Sequence, residues 1–271
     1  MQGNPPLIET MNALRLRISH AVSGEHYRLN GRNTLPSNRL FFVVAAAGGD
    51  YIRRWRDGAE RETMPLLAGG IYFIPKDVQL EYNFVGGLGI AAIHFNLEHI
   101  AGWDVFNGHG RFHEWLGEPE LAGATHRLIA AEPSLDRVLR AQGTILELAS
   151  RLLEGKGVET RRLQDVRAKY APLLGRLEAR ADAQVTVEEL AGLMGLSRDA
   201  LSKSFKKDFG APLKTFLTRL LVQKAAERLI YTDMKAKDVA AELRFNNEYY
   251  FSKFFKKHKG LSPAQFRAAM R

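Results

Sequence analysis

Tyr250-Phe251-Ser252-Lys253-Phe254-Phe255-Lys256-Lys257-His258-Lys259-Gly260 reads as a helix with an aromatic face and a lysine-rich face, closed by a glycine. Nearly the same stretch stands fifty residues earlier, as Leu201-Ser202-Lys203-Ser204-Phe205-Lys206-Lys207-Asp208-Phe209-Gly210. From the serines onward the register is constant: Ser202, Lys203, Phe205, Lys206, Lys207 and Gly210 recur as Ser252, Lys253, Phe255, Lys256, Lys257 and Gly260. Upstream, Glu189–Leu196 is echoed by Asp238–Phe245 with the register slipped by one residue. An internal repeat governs how the rest of a chain is read.

Each copy is a short apolar helix, a tight turn and a second helix carrying cations. Gly195 stands where the first copy turns, and glycine accepts the positive φ such turns often need. Ser197 is a natural N-cap for the helix that follows, and Asn246 or Asn247 can do the same in the second copy. Two helices joined by a three- or four-residue turn form a helix-turn-helix. For one copy alone, an ordinary helical hairpin with solvated lysines is the better reading. Two copies with cations at matched positions favour a nucleic-acid reader.

Leu213, Phe216, Leu217, Leu220, Leu221, Ala225 and Leu229 line one side of a long helix between the copies, with Pro212 near its start. Thr186 and Glu189 form a capping-box pattern ahead of the first copy. A rigid connecting helix holds the two units at a fixed separation. If both second helices enter the major groove on one face, they lie roughly 34 Å apart, one helical turn. Phe205 and Phe255 then face the core, while Ser202, Lys203, Ser252 and Lys253 face outward. Lys206, Lys207, Lys256 and Lys257 have the reach for phosphates. Arg198, Asp199, Asn247, Glu248 and Tyr249, nearer the helix starts, are placed for base edges.

The charge distribution agrees. The chain of 271 residues carries +9, and residues 181–271 hold 17 basic and 10 acidic side chains, against 22 and 20 in the remainder. A basic end points to a polyanionic partner. A membrane is the weaker option, because no apolar run approaches the ~20 residues that span a bilayer. Met1–Pro6 shows no basic-then-apolar signal pattern. Cysteine is absent, which removes disulfides and thiolate metal sites and fits a cytoplasmic protein.

From Leu40 to Phe95 the chain reads as short strands with no intervening helix: Leu40–Val44, Tyr51–Arg56 ending at the hairpin pair Asp57-Gly58, Ile71–Ile74, Val78–Phe84 and Leu88–Phe95. The Gly69-Gly70 and Gly86-Gly87 pairs read as turns, since neither has the context of a phosphate-binding loop. Even strand spacing with glycine turns suggests an antiparallel barrel or jelly roll. His94, His99, His109 and His113 lack the paired pattern of a metal site; His94 faces either a pocket or the core, the latter preferred, and His109 and His113 read as solvent-facing loop residues. No metal, no cofactor and no catalytic constellation is expected. From Ser134 the pattern is helical, with Leu135, Val138, Leu139, Gln142, Ile145, Leu146, Ala149, Leu152 and Leu153 in one stripe that suits either packing on the chain's own barrel or pairing with a second copy. Glu154–Lys169 is polar and reads as a linker.

The segment from about Lys169 to Arg271 resembles the DNA-binding domain of the AraC/XylS family of bacterial transcription regulators. Tyr250–Arg267 carries that resemblance through its aromatic pair, Phe-Lys-Lys core, Gly-x-Ser-Pro turn and closing aromatic-Arg. Leu67–Pro75 and Ile93-His94-Phe95 are similar to the family's sensing domain. The resemblance implies an α+β chain: a cupin-like antiparallel barrel with helices over residues 1–155 for effector sensing and dimerisation, a linker at 156–168, and an all-α domain at 169–271 with two helix-turn-helix units. It further implies a homodimeric regulator, not an enzyme, whose partners are double-stranded DNA, RNA polymerase and a small-molecule effector. Arg53, Trp55, Tyr72, Tyr82 and His94 are the effector-pocket candidates. The alternatives are a cupin-type enzyme fused to a DNA-binding domain and a regulator that senses a protein partner. Two residues depart from the family pattern. Arg244 stands where glycine is usual, so that turn uses negative φ, tolerates strain or takes another shape. Ala236 replaces a larger aliphatic residue. Both departures weight base recognition towards the first unit.

Overall fold

The computed structural model describes residues 5–100, 102–154 and 160–270. In chain order the elements are α1 (Pro5–Ala13), β1 (Arg15–Asn33), β2 (Asn38–Ala45), β3 (Tyr51–Arg56), β4 (Ala59–Pro65), β5 (Ile71–Ile74), β6 (Gln79–Ile100), β7 (Trp103–Asp104) and β8 (His113–Trp115). Helices follow: α2 (Pro119–Ala130), α3 (Leu135–Leu153), α4 (Thr160–Lys169), α5 (Ala171–Ala179), α6 (Val187–Leu193), α7 (Arg198–Phe209), α8 (Leu213–Tyr231), α9 (Ala236–Glu242), α10 (Glu248–Lys259) and α11 (Pro263–Met270). The chain divides into two compact units. One comprises Leu16–Leu97 and Phe106–Val158, the other Met1–Arg15, Glu98–Val105 and Glu159–Arg271. Of the expected linker, residues 156–159 lie outside the described residues, and the remainder falls in α4.

The first unit is built on a curled sheet in the order β4-β3-β6-β2-β5-β8, with β1 also paired to β6. The β2–β5, β2–β6, β3–β4, β3–β6 and β5–β8 pairs are antiparallel. Asp57 (φ 54°) and Gly58 (φ 75°) both adopt left-handed backbone between β3 and β4, as a two-residue hairpin turn requires. Successive side chains in a strand point to opposite faces. On the interior face Phe41, Val43, Ile52, Tyr72, Ile74, Leu80, Phe84, Ile90 and Ala92 form one apolar core. On the other face Phe73 packs against Phe95 and Phe106 at ring separations of 6.5 and 4.9 Å.

Three expectations change here. Gly86-Gly87 is not a turn between two strands, because β6 runs unbroken from Gln79 to Ile100. A Cβ on Gly87 would lie 2.5 Å from the Ala47 side chain, so the glycine is there for close approach of two backbones. Strand β1 and helix α2 have no counterpart among the elements expected from the sequence. His109 is not simply solvent-facing, since its ring packs edge-on to Phe73 at 5.6 Å; His113 lies in β8 and is exposed.

Helix α3 separates the two readings of its stripe. Ala141, Ile145, Leu148, Ala149 and Leu152 are buried within their own unit. Leu135, Val138, Leu139 and Leu146 form a second, exposed row, with Leu135 at 76% and Leu139 at 58%.

The helical unit has two cores arranged along α8. Leu213, Phe216 and Leu220 join α5, α6 and α7 in one, together with Ile100. Ala225, Ala226 and Leu229 join α9, α10 and α11 in the other, with Val239, Phe251, Phe255 and Phe266. The segment after β6 belongs to the first of these cores: Trp103 packs on Phe209 and Phe216 at 5.2 and 6.1 Å. A Cβ on Gly102 would come within 2.6 Å of Leu220. Among the described residues no helix is long and apolar enough to cross a membrane.

Candidate nucleic-acid interface

The two repeated copies fold into the same local geometry. In the first, Thr186 accepts a hydrogen bond from the Glu189 backbone N–H at 3.1 Å and starts α6. Glu189 does not return the bond expected of a capping box; its carboxylate takes Arg176 Nε at 2.6 Å instead. After α6, Gly195 adopts φ 63° and the Leu196 N–H donates to the Ala191 carbonyl at 3.0 Å. That is the six-to-one bond that closes a helix end around a left-handed residue. Ser197 then caps α7 by accepting from the Ala200 N–H at 3.2 Å, and Gly210 (φ 69°) ends it.

The second copy starts differently, with the Lys235 N–H donating to the Asp238 carboxylate at 3.2 Å, but repeats the first from the turn onward. The Phe245 N–H donates to the Ala240 carbonyl at 2.9 Å, and Arg244 occupies the left-handed position at φ 54°. Of the options open for this turn, the chain therefore takes the strained one and keeps the shape. Asn247, rather than Asn246, caps α10, accepting from the Tyr250 N–H at 2.8 Å. Gly260 (φ 77°) closes the helix. Ala236 lies partly buried against the second core.

A strap ahead of α6 braces the Arg244 turn. The Ala183 N–H donates to the Leu243 carbonyl at 2.9 Å, and Gln184 Nε2 donates to the Arg244 carbonyl at 2.9 Å. The buried Asp182 carboxylate ion-pairs with Arg180 at 2.8 Å and lies 3.7 Å from Arg244 Nη1. Nothing in the sequence pattern announced the role of Asp182 at this turn, because Arg244 lies far along the chain and reaches it only where the two copies meet.

Phe205 and Phe255 are fully buried, as the aromatic face requires. Arg198, Asp199, Lys203, Lys206 and Lys207 are exposed on α7 with Ser202 half-buried among them. Asn247, Glu248, Tyr249, Lys253, Lys256 and Lys257 are exposed around α10, with Ser252 again half-buried. Each second helix thus presents one polar, mainly cationic face. Two of these residues already have local duties. Arg198 pairs with Glu188 at 3.0 Å, and the Asn247 side-chain oxygen is occupied by its cap. Tyr250, 56% exposed beside Tyr249, is a further large aromatic on this face that the periodicity had assigned to no role. At the far end of α7, Asp208 accepts from Lys169 Nζ at 2.6 Å and from the Tyr170 hydroxyl at 2.8 Å. The hydrogen bond from Lys169 holds the Asp208 carboxyl below its ordinary range.

The effector candidates divide by face. Arg53 stands opposite Glu81 in the β3–β6 register and Trp55 opposite Gln79, on the side away from the Ile52, Leu80 and Phe84 core. There Arg53 pairs with Glu81 at 3.2 Å and the Arg32 guanidinium lies 3.9 Å over the Trp55 ring. Tyr72, Tyr82 and His94 are on the interior face. The Tyr72 hydroxyl accepts from the Leu67 N–H at 2.7 Å, tying down the 67–70 turn, and burial pushes its pKa up. The His94 and His20 rings are 5.1 Å apart. Burial, then the Arg39 guanidinium and His20, hold His94 well below the usual imidazole range, so it is neutral at pH 7.

A pair of matched helix-turn-helix units joined by one helix, each with an exposed basic second helix, defines a DNA-binding domain of bipartite type. Residues 190–269 match the family described as a helix-turn-helix domain. Among curated relatives, the lactose operon transcription activator of Staphylococcus xylosus is 32% identical over 83 residues, 31% of this chain and 30% of that protein. The transcriptional activator AarP of Providencia stuartii is 28% identical over 91 residues, 34% of this chain and 67% of that protein. The chain spans 15 to 30% of the length of the first curated relatives it matches. Over nearly its whole length, 96% of this chain and 98% of the other, it shares a fold with an apo ToxT point variant of Vibrio cholerae at a TM-score of 0.54 and 8% identity. A ToxT structure described as bound to unsaturated fatty acid aligns at a TM-score of 0.51 and 11% identity, over 95% of each chain. Residues 190–269 thus form a helix-turn-helix domain of the AraC type, similar to those of these transcription activators.

Proposed function

We propose that the chain is a sequence-specific DNA-binding transcription regulator rather than an enzyme, with double-stranded DNA and RNA polymerase as partners. The observation that carries this reading is the doubled turn geometry, Gly195 and Arg244 in the same left-handed conformation ahead of two exposed basic helices. Arg198, Asp199, Ser202 and Lys203 on α7, and Asn247, Glu248, Tyr249, Ser252 and Lys253 at the start of α10, face base edges; Lys206, Lys207, Lys256 and Lys257 take phosphates. Residues 169–271 act as the DNA-binding domain and residues 1–155 as the sensing and dimerisation domain. Two copies pair through the exposed row Leu135, Val138, Leu139 and Leu146 on α3.

A small molecule bound on the interior face of the sheet, near Tyr72, Tyr82 and His94, controls DNA binding. Arg53 and Trp55 do not belong to that set, because they stand on the opposite face. The ligand of the ToxT structure makes unsaturated fatty acids the first effectors to test here. A footprint of the full chain on the DNA upstream of its own coding sequence, followed by selection from random duplexes, tests the central claim. A protected bipartite site with half-sites about one helical turn apart supports it. Equal affinity for selected and scrambled duplexes at physiological salt refutes it.

A further inference from the structure

The helical unit contains a cavity of about 360 Å³ lined by Asn12 and Ala13 of α1, His99 of β6, Gln164, Arg167 and Ala168 of α4, and Ala171 of α5. Its volume lies in the range of ~300–1,000 Å³ typical of small-molecule sites. Nothing in the DNA-reading face uses it. His99 forms part of its wall and is only 2% exposed. Neither ring nitrogen of His99 has a hydrogen-bond partner among the described residues. Leaving a buried polar group unpaired is destabilising, so such a group in a folded protein calls for a physical reason.

The surrounding charge indicates what would supply the missing partner. Arg167 Nη1 donates to the His99 carbonyl at 2.9 Å, and its Nη2 lies 3.6 Å from Glu178. Glu178 is shared with Arg15 at 3.0 Å. Two guanidinium groups against one carboxylate leave a net positive charge beside the cavity. Asn12 and Gln164 add amide groups, and Ala13, Ala168 and Ala171 add apolar wall. Burial, then Arg167, lower the His99 pKa, so the ring is a neutral imidazole with one donor and one acceptor.

We propose that this cavity is a second ligand site, specific for a small organic carboxylate with a short apolar body, distinct from the interior face of the sheet. The carboxylate sits against Arg167, and the His99 ring turns towards the cavity so that its N–H donates to the ligand. The site would bear on DNA reading through α5, which starts at the cavity with Ala171 and carries Leu173, Leu174 and Leu177 into the core that also holds Phe205 and Phe209 of α7.

Butyrate and benzoate, each compared with its primary amide, are added to full-length protein labelled at histidine and followed by NMR. Saturable movement of the His99 ring signal at millimolar carboxylate is expected, with the amides about tenfold weaker because the charge-assisted bond is lost. The His20 and His94 signals should stay in place; movement confined to them would put the ligand on the sheet interior and overturn the proposal. Arg167→Gln should remove the preference for acid over amide. Ala168→Trp, which fills the cavity from the exposed side of α4, should abolish binding with the circular dichroism unchanged. An unmoved His99 signal with every probe, equal binding of acids and amides, or undiminished binding by a folded Ala168→Trp variant would each refute it. None of these readouts depends on DNA binding.

Discussion

Arg244→Gly isolates the cost of the second turn. Arg244 holds φ 54°, the same left-handed backbone as Gly195 at 63°. Holding a residue with a Cβ there costs roughly 1–2 kcal/mol, and glycine returns about 0.5–1 of that through its greater freedom in the unfolded chain. The substitution also removes the Arg244–Asp182 pair at 3.7 Å. With the Arg244 side chain 48% exposed and Arg180 still 2.8 Å from Asp182, that loss is at most ~1 kcal/mol. Arg244→Gly should therefore fall between about 1 kcal/mol less and about 1.5 kcal/mol more stable than the parent. Arg244→Ala gives up the pair and keeps the strain, so it should lose up to ~1 kcal/mol and rank below Arg244→Gly. Urea unfolding measures the ranking. Hydrogen exchange at the Phe245 N–H, which donates to the Ala240 carbonyl, reports the turn itself. If Arg244→Gly is the less stable of the two, the entropic cost of glycine outweighs the strain it relieves and the reasoning fails. A large loss of DNA affinity with the turn intact would instead show that Arg244 touches DNA.

The remaining predictions concern DNA, assembly and pH. Lys256→Ala should weaken all duplexes about equally and lower the slope of log affinity against log salt by about 1, measured by fluorescence anisotropy; a change in sequence preference would move Lys256 from phosphate to base. Leu139→Asp, at a position 58% exposed in the fold, should yield a folded monomer in sedimentation velocity, and a dimer that persists would place the interface elsewhere. Because the folded-state pKa of His94 lies well below the ordinary imidazole value of 6.5, the unfolded chain takes up the proton first as pH falls. Stability should therefore be full above pH ~6.5 and decline below it until the folded pKa is reached. Urea midpoints for the parent and His94→Gln across that window should show a shallower decline in the variant, whereas parallel curves would remove His94 as the source.

What was legible in the sequence follows from which signals are local. The repeat, its caps and its glycines are local patterns, and Ser197, Gly195, Gly210 and Gly260 fold as their types dictate. Strand β1 was hidden because the brief alternation of Leu16, Ile18 and Val22 is not sustained through Gly24–Asn33, which has no continuous apolar face. Helix α2 was masked by Pro119 at its start and Gly123 within it. Gly86-Gly87 looked like a turn because the contact it serves, with Ala47, is made by a different part of the chain. The same limit applies to the effector candidates: polarity in a strand cannot choose a face, and only the pairing register puts Arg53 and Trp55 on the other side of the sheet from Tyr82. His99 and Arg167 are distant in sequence, and the cavity between them has no local signature.

The asymmetry between the two DNA-reading units changes in kind once the turns are compared. Arg244 in place of glycine would demote the second unit if it distorted the turn. It does not: the closing bonds measure 3.0 Å at Leu196 and 2.9 Å at Phe245, and both second helices are capped at their first turns. What Arg244 imposes is an energetic cost, countered by Asp182, Ala183 and Gln184 of the preceding strap. The shape of the turn therefore gives no ground for ranking the first unit above the second in base recognition. A difference between them must come from the exposed residues themselves, where α7 offers Arg198 and Asp199 and α10 offers Glu248, Tyr249 and Tyr250. Two exposed tyrosines bring apolar contact and a hydroxyl, chemistry suited to thymine methyl groups as well as to phosphates. The arginine of α7 instead favours guanine.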